Sequence, residues 1–382
     1  MNYWRSKTVE EQRLGFIGEV LNNNNKTFET ICQKYNVSRK TGYKWLHRYQ
    51  KNGEAGLKDQ SKARLNQDRI SEESQSCVIE IRKKFPSWGP KKIQAEMIRN
   101  YDHIEIISCG SIGRVLKEND LSSPRIYRKH VAKTAPLEDC FEPNDVWMYD
   151  FKGWFLTGDG TKCEPLTITD GASRYLIKCE HMMRKRTVDV WQILEEAFQE
   201  YGLPNRIRSD NGPPFATIGI GRLSPLAIRL IKVNVIPEWI KPGHPQENGR
   251  HERFHLTLKN ETALPPAINL NLQILKMDQF LNYYNHTRPH EALGQRTPGE
   301  IYKPSVRVWD GKYRSPEYSS EYEVRKVDKG GLISWRGNKF FLSESLWQEY
   351  VGIKEIDVGV MSVCYGPIKL GEIDLNKGFK RI

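Results

Sequence analysis

The chain has 382 residues, of which 38% are hydrophobic, and a formal net charge of +12. That length exceeds one ordinary core and that apolar content argues against disorder, so two to four folded domains are expected. No apolar run reaches about 18 residues and the N-terminus lacks the apolar core of a signal peptide, while seven cysteines without a CxxC pair argue against a disulfide framework or zinc module; a protein of the reducing cytoplasm with no membrane partner is expected.

Residues 1–64 hold 13 basic and 6 acidic side chains, more than half of the net excess. Such a local excess fits a polyanion partner, most simply nucleic acid, and fits a solubilising surface equally well. The periodicity predicts a helix over 9–22 with Leu14, Ile17 and Leu21 on one face. Thr27 can cap a short helix carrying Phe28, Ile31 and Tyr35, and Asn36 and Val37 make a tight connection. Ser38 then caps a second helix in which Gly42, Leu46 and Tyr49 share a face, with Arg39, Lys40, Lys44 and Arg48 opposite. This is the layout of a helix-turn-helix, whose second helix presents its first residues, here Arg39, Lys40 and Thr41, to DNA. A plain three-helix bundle would have similar periodicity, but the basic face favours DNA binding.

A second helical unit is expected over 65–121, with one helix in "ISEESQSCVIEIRKKFP" ending before Pro86, another starting in "SWGPKKIQAEMIRN" and a third in "SCGSIGRVLKEND" with Ile112 and Leu116 buried. It resembles another helix-turn-helix with less charge bias, and a packing module fits nearly as well. Residues 122–143 carry prolines and scattered charge, the composition of a linker. From Val146 the pattern becomes strand-like: "VWMYDFKGWFL", a "GDG" hairpin turn at 158–160, then "CEPLTITDG" and "RYLIKCEH". An amphipathic helix follows, closed by Gly202, then a short strand "NRIRSD", a helix near 223–232, a strand near 234–238 and two more helices. Hairpin-linked strands followed by alternating helices and strands predict an α/β sandwich on a mixed sheet over 144–305. Residues 306–382 return to short strands and glycine turns, which predicts a small all-β barrel.

Chemistry enters with three acids. Asp150 lies in the strand "WMYDFKG" among aromatic side chains, where a bare carboxylate is costly unless it meets a cation or donors. Asp210 ends the strand "RIRSDNG", and strand ends in an open α/β sheet face a crevice; alone, an Asp before Asn-Gly is more often a turn residue. Two such acids with a glutamate from a nearby helix would make a hard, oxygen-rich cage suited to Mg²⁺ or Mn²⁺. The stretch "KPGHPQENGRHERFH" at 241–255 offers two glutamates, Glu247 and Glu252. Five residues apart on a helix, they stand about 140° apart and cannot both point at one site.

Taken together and in this order, "WMYDFKG", "RIRSDNGPPFA", "PGHPQENGRHERFH" and "YNHTRPHEALGQRTPGEIY" resemble the catalytic core of DDE-type insertion-sequence transposases, which is shared with retroviral integrases. The likeness covers most of the chain, since "WGPKKI", "SIGRVLK" and "GLKDQS" match the family's helix-turn-helix region and the last 75 or so residues its β-rich end. It implies a multidomain protein: an all-α helix-turn-helix N-terminal region, an α/β ribonuclease-H-like catalytic core and a small all-β barrel at the C-terminus. The family pattern Pro-x-x-Pro-Gln-x-x-Gly-x-x-Glu falls on Pro242, Pro245, Gln246, Gly249 and Glu252, which makes Glu252 the third acid beside Asp150 and Asp210. The helix carrying it is expected to start near Gln246. Lys241, Arg250 and Arg253 would then contact DNA phosphates, as would Lys44 and Arg48. The resemblance further implies two divalent ions, Mg²⁺ or Mn²⁺, no nucleotide cofactor, a homo-oligomer on element-end and target DNA, and a cytoplasmic, nucleoid-associated location. The 41 residues between Asp210 and Glu252 exceed the family's usual interval, and "ATIGIGRLSPL" is expected to be the insertion, as a surface loop. Asp170 is expected as a strand-end or turn residue. A DNA-binding regulator with an inactive core and a hydrolytic nuclease of the same fold are the other functions compatible with these motifs.

Overall fold

Hydroxyl side chains open five of the N-terminal helices. Thr8, Thr27, Ser38, Ser71 and Ser108 each accept a hydrogen bond from the backbone N–H three residues on, a cap that contributes about 1 kcal/mol apiece. A computed structural model describes residues 8–22, 26–59, 70–122, 140–241, 249–375 and 377–381. The chain divides into two compact units, Met1–Arg69 and Ile70–Ile382.

In the first unit, α1 (Val9–Leu21), α2 (Phe28–Lys34) and α3 (Arg39–Asn52) enclose a core of Phe16, Ile17, Ile31, Cys32 and Leu57. Asn36 takes a left-handed conformation (φ 52°) in the turn between α2 and α3, completing the helix-turn-helix. Gly42 faces inward, and a Cβ there would lie 2.8 Å from the Cys32 sulfur and 2.9 Å from the Phe16 ring, so this close helix crossing requires glycine. One expected face is corrected. Ile17 is buried, but Leu14 and Leu21 are exposed and Phe16 and Val20 take their places. Phe16 makes edge-on contacts with Phe28, Tyr35 and Trp45, and that aromatic cluster sets the rotation of α1.

The second unit begins with α4 (Glu72–Lys84), α5 (Pro90–Asn100) and α6 (Cys109–Glu118), packed around Val78, Ile81, Ile93, Met97, Ile112 and Leu116. Phe85 ends α4 before Pro86, and Pro90 occupies the first turn of α5, where its missing N–H costs nothing. This bundle docks on α10 (Leu270–His286). Trp88, wholly buried, stacks on Phe85 and donates its Nε1–H to the Tyr283 hydroxyl at 2.6 Å.

The α/β core is a five-stranded sheet in the order β5 (Leu176–His181), β4 (Pro165–Asp170), β1 (Val146–Phe151), β6 (Arg206–Ser209), β7 (Ile236–Trp239). The first three strands run antiparallel, while β1–β6 and β6–β7 are parallel. A hairpin, β2 (Phe155–Leu156) and β3 (Lys162–Cys163), turns at Gly160 with φ 80°. This mixed sheet, three antiparallel strands extended by two parallel ones, is the ribonuclease-H-like arrangement. Helix α7 (Thr187–Tyr201) covers one face through Val190, Trp191, Leu194 and Phe198. Helix α8 (Pro225–Lys232) is apolar on two sides: Leu226 and Leu230 enter the sheet core, while Ala227, Ile228 and Ile231 enter a C-terminal core.

That C-terminal core belongs to an antiparallel sheet in the order β14 (Gly378–Arg381), β13 (Ile368–Asp374), β12 (Val360–Tyr365), β11 (Tyr350–Asp357), β8 (Glu323–Lys326), with a hairpin of β9 (Leu332–Trp335) and β10 (Asn338–Phe341). The expected surface loop between Asp210 and α8 is corrected here. Ile218 is fully exposed, but Ile220 and Leu223 are buried in this C-terminal core, and Gly221 (φ 56°) lies against Leu370 and Ile368. The extra residues therefore bolt the α/β core to the β sheet.

Cations crowd the joint between the helical bundle and the core. Arg288 pairs with Glu261, and His290 lies near Lys92, Arg288 and Arg174 with its Nε2 buried and unpartnered among the described residues. Burial, then those cations, depress the His290 pKa to about 3, and burial and Arg288 hold Lys92 at about 8. Unfolding returns His290 to its ordinary value, so between roughly pH 6.5 and 3 the unfolded chain binds the extra proton and stability is lost as pH falls. Replacing His290 with Gln should flatten the pH dependence of unfolding there by about 1.4 kcal/mol per pH unit. Urea melts from pH 4 to 7 check this, and an unchanged slope would refute a neutral, buried His290.

Candidate active site

Strands β1 and β6 run side by side, with Met148 opposite Arg208. The paired register ends there; Asp150 lies two residues further along β1, near its carboxyl end, and Asp210 directly follows the carboxyl end of the parallel neighbour β6. This is where an open α/β sheet presents ligands. Both acids are half-buried. The Asp210 Oδ1 accepts the Gly212 N–H at 3.0 Å, so it also closes the turn that its Asn-Gly sequence predicts. Beneath it, Arg208 is 3% exposed and pairs with Glu238 at 2.7 Å, tying β6 to β7.

Helix α9 (Gly249–Leu258) carries the third acid. Residues 242–248 lie outside the described residues, so the expected start near Gln246 and the place of Glu247 do too. Phe254 and Leu258 sink into a core shared with α10, and His251 is 1% exposed on the same side. Glu252, the next residue, is exposed, as are Arg250 and Arg253. Arg250 donates to the Gly171 carbonyl at 3.4 Å, a protein contact that anchors α9. Lys241 is exposed at the end of β7.

Among the described residues, one group of three metal-ligating side chains has its ligand atoms within 4.8 Å of one another: Asp150, His251 and His255. The three expected acids do not meet at that spacing. Two ions about 3.5–4 Å apart, each about 2.1 Å from oxygen, can be spanned by carboxylates roughly 8 Å apart, so a two-ion site does not require it. The donor set fits such ions: three carboxylates, two at adjacent strand ends and one on an exposed helix turn, offer hard oxygen ligands.

Sequence reasoning did not single out His251, His255 or Thr167. The signal available was the pair of histidines four residues apart on the helix of Glu252, a spacing that puts both on one face. Burial and then His255 hold the His251 pKa well below its ordinary value; burial and then Lys152 bring His255 to about 3. Asp170 is fully occupied at the β4–β5 turn. It accepts the Asn144 N–H at 2.7 Å, the Ser173 N–H at 2.7 Å and the Ser173 hydroxyl at 2.6 Å, while burial pushes its pKa up.

On the helix-turn-helix, Arg39, Lys40 and Lys44 are exposed and Arg48 is half-buried. The Thr41 hydroxyl lies 2.9 Å from that of Ser38 at the helix cap, so this residue serves the cap first. No helix among the described residues is long and apolar enough to cross a membrane.

Known proteins and domain families resemble successive parts of the chain. Integrase core domain models match residues 142–245 and 234–298, a helix-turn-helix domain model 12–64 and a homeodomain-like domain model 41–116. The model of the C-terminal domain of IS481 family transposases matches 322–380. The uncharacterized 39.2 kDa protein of insertion element IS476 from Xanthomonas euvesicatoria is 25% identical over 229 residues, 58% of this chain and 57% of that protein. The uncharacterized 31.7 kDa protein of insertion element IS407 from Burkholderia multivorans is 25% identical over 42% of this chain and 55% of that protein. The chain thus spans a little over half the length of these curated relatives. Among solved structures, it is similar to a chain of the simian T-cell lymphotropic virus intasome in complex with PP2A regulatory subunit B56 gamma, with 14% identity, 80% of this chain and 98% of that chain covered, and a TM-score of 0.38. It is also similar to the HTLV-2 integrase catalytic core domain in complex with magnesium, with 18% identity, 43% and 99% covered, and a TM-score of 0.33. In succession along its length the chain thus matches helix-turn-helix, integrase core and IS481-type C-terminal domain models, the order of domains of an insertion-sequence transposase with an integrase-like core.

Proposed function

We propose that this protein is the transposase of a mobile element, which binds the element's terminal inverted repeats and cuts and joins DNA strands at Asp150, Asp210 and Glu252. The observation that supports the reading is the parallel pairing of β1 and β6, with Asp150 near the carboxyl end of one and Asp210 just after the other, and with the helix of Glu252 hydrogen-bonded to the strand next to Asp150. The three carboxylates would hold two Mg²⁺ or Mn²⁺ ions, which supply a nucleophile at neutral pH and charge stabilisation for in-line displacement at phosphorus. Arg250, Arg253 and Lys241 would hold the DNA backbone against this edge, positioning a phosphodiester without reading its sequence. Because joining exchanges one phosphodiester for another, no nucleotide cofactor is needed. Residues 1–64 and 65–121 would serve as DNA-binding domains, 122–143 as the linker, 144–305 as the catalytic core and 306–382 as the C-terminal domain, in a homo-oligomer on DNA.

The test is a joining assay with labelled element-end DNA, plasmid target and Mg²⁺. The expected result is end cleavage followed by covalent transfer of label to the plasmid. Cleavage without transfer would indicate a hydrolytic nuclease, and binding without cleavage a DNA-binding regulator. Within this reading, replacing Arg39 and Lys40 with Ala should remove the preference for end DNA, since a base-reading contact contributes about 1–3 kcal/mol. Lys44→Ala and Arg48→Ala should weaken binding to all sequences and flatten its salt dependence. Competition binding against random DNA at several salt concentrations separates the two; an Arg39/Lys40 variant that still discriminates end DNA shows that α3 is not the reader.

A further inference from the structure

The hydroxyl of Thr167 joins the strand of Asp150 to the helix of Glu252. Thr167 stands opposite Asp150 in the antiparallel β1–β4 ladder and is wholly buried. Its Oγ1 donates to the Asp150 carbonyl at 3.1 Å and lies 2.8 Å from the Nε2 of His251 and 2.8 Å from the Nε2 of His255. A threonine hydroxyl has one hydrogen and two lone pairs. The hydrogen goes to the carbonyl, so the two lone pairs must accept Nε2–H from both imidazoles. The Nδ1 of His251 lies 3.2 Å from the Thr169 hydroxyl and, with its proton on Nε2, accepts from it. Every polar atom named here except His255 Nδ1 thereby has a defined role, and both histidines carry a proton on Nε2. The rings stand nearly perpendicular, with centroids 4.6 Å apart, so each reaches the same oxygen from its own turn of α9.

We propose that Thr167, His251 and His255 form a lock that fixes α9 against β1 and β4 and so sets the Glu252 carboxylate relative to Asp150, which makes all three positioning residues for the reaction. The inference rests on the reading of the acids given above. Glu252 follows His251 directly, so a shift or roll of α9 that broke the two Nε2–H bonds would carry the carboxylate with it. Phe254 and Leu258 supply adhesion to α10 but no direction, since apolar packing tolerates sliding that a hydrogen bond does not. The same side chains with Asp150 could be taken for a three-ligand transition-metal site. The hydrogen bonds oppose that use for His251, whose Nε2 is held by Thr167 and whose Nδ1 is held by Thr169, which leaves only the Nδ1 of His255 to ligate beside Asp150.

The experiment compares Thr167→Val, which keeps the shape and removes the hydroxyl, with Thr167→Ser, which keeps the hydroxyl, in the full chain. Strand joining is titrated with Mg²⁺, end-DNA binding and thermal melting are measured alongside, and the imidazole nitrogens are followed by ¹⁵N NMR in histidine-labelled protein. Thr167→Val is expected to need about 10–100-fold more Mg²⁺ for half-maximal joining, the size of effect seen when a group behind a metal ligand is removed. Its end-DNA binding should be unchanged, and Thr167→Ser should recover most of the loss. Wild-type spectra should show two imidazoles protonated on Nε2. A Mg²⁺ requirement in Thr167→Val equal to wild type would overturn the lock. So would equal losses in the Val and Ser variants that only follow their melting temperatures, Nδ1-protonated imidazoles, or stoichiometric Co²⁺ binding with an absorption spectrum that His255→Leu abolishes. If wild type does not join DNA at all, the transposase reading fails by itself, and the NMR spectra still decide whether the lock exists.

Discussion

Asp150→Asn and Asp210→Asn are each expected to abolish cleavage and joining, a loss of at least about 10²–10³-fold, while binding to end DNA stays within about twofold of wild type. The substitution keeps size and shape and removes one negative charge. At paired strand ends that charge is what offsets divalent cations, and an amide oxygen is a far weaker partner. Recognition is expected to survive because α3 belongs to a different compact unit, Met1–Arg69, from both acids. Asp210 also closes a turn onto Gly212, and an asparagine oxygen can still accept that N–H, so folding should be preserved. Single-turnover cleavage and joining, beside gel-shift titrations with the same DNA, check the split. Mg²⁺-dependent joining retained in either variant would remove that residue from the site.

The second large effect separates two neighbours of identical chemistry. Glu252→Gln should lose joining to a similar extent, and Glu247→Gln should keep nearly all of it. Glu252 is exposed immediately after His251, whose bonds to Thr167 and Thr169 fix the rotation of α9. Glu247 lies outside the described residues. If it stands in a first helical turn, its replacement costs only a dipole interaction of roughly 0.3–1 kcal/mol. Purified variants of both, assayed in Mg²⁺ and Mn²⁺ with melting curves as a folding control, provide the contrast. An inactive Glu247→Gln beside an active Glu252→Gln would show that the shorter interval from Asp210, 36 residues to Glu247, marks the catalytic glutamate.

What could be read from the sequence follows from how far each determinant reaches. Thr27, Ser38 and Pro86 act within one helical turn, and the helix ends they predict are found. Ile112 and Leu116 are separated by one turn of an isolated amphipathic helix and are both buried. Where the deciding partner is distant, local periodicity misleads. Leu14 and Leu21 have the spacing of a core face, yet the aromatic cluster around Phe16 turns α1 away from them. Ile220 and Leu223 sit in an insertion whose composition resembles a loop, and only the C-terminal sheet, about 150 residues later, gives them a core. The site shows the same division. The strand patterns put Asp150 in a strand and Asp210 at a strand end, and the structure has Asp150 in β1 and Asp210 directly after β6. The Thr167 lock could not be read this way, since its hydroxyl and its two histidines are 84 and 88 residues apart and meet only through the β1–β4 register.

In the proposed mechanism Asp150, Asp210 and Glu252 jointly hold the catalytic ions. Anomalous diffraction at the manganese edge, from crystals of the full chain bound to element-end DNA in Mn²⁺, locates those ions directly. The account predicts anomalous peaks bounded by the carboxylates of Asp150, Asp210 and Glu252, with the Nε2 atoms of His251 and His255 still on Thr167. A peak ligated by Asp150, His251 and His255, with Glu252 turned away from it, would contradict the account.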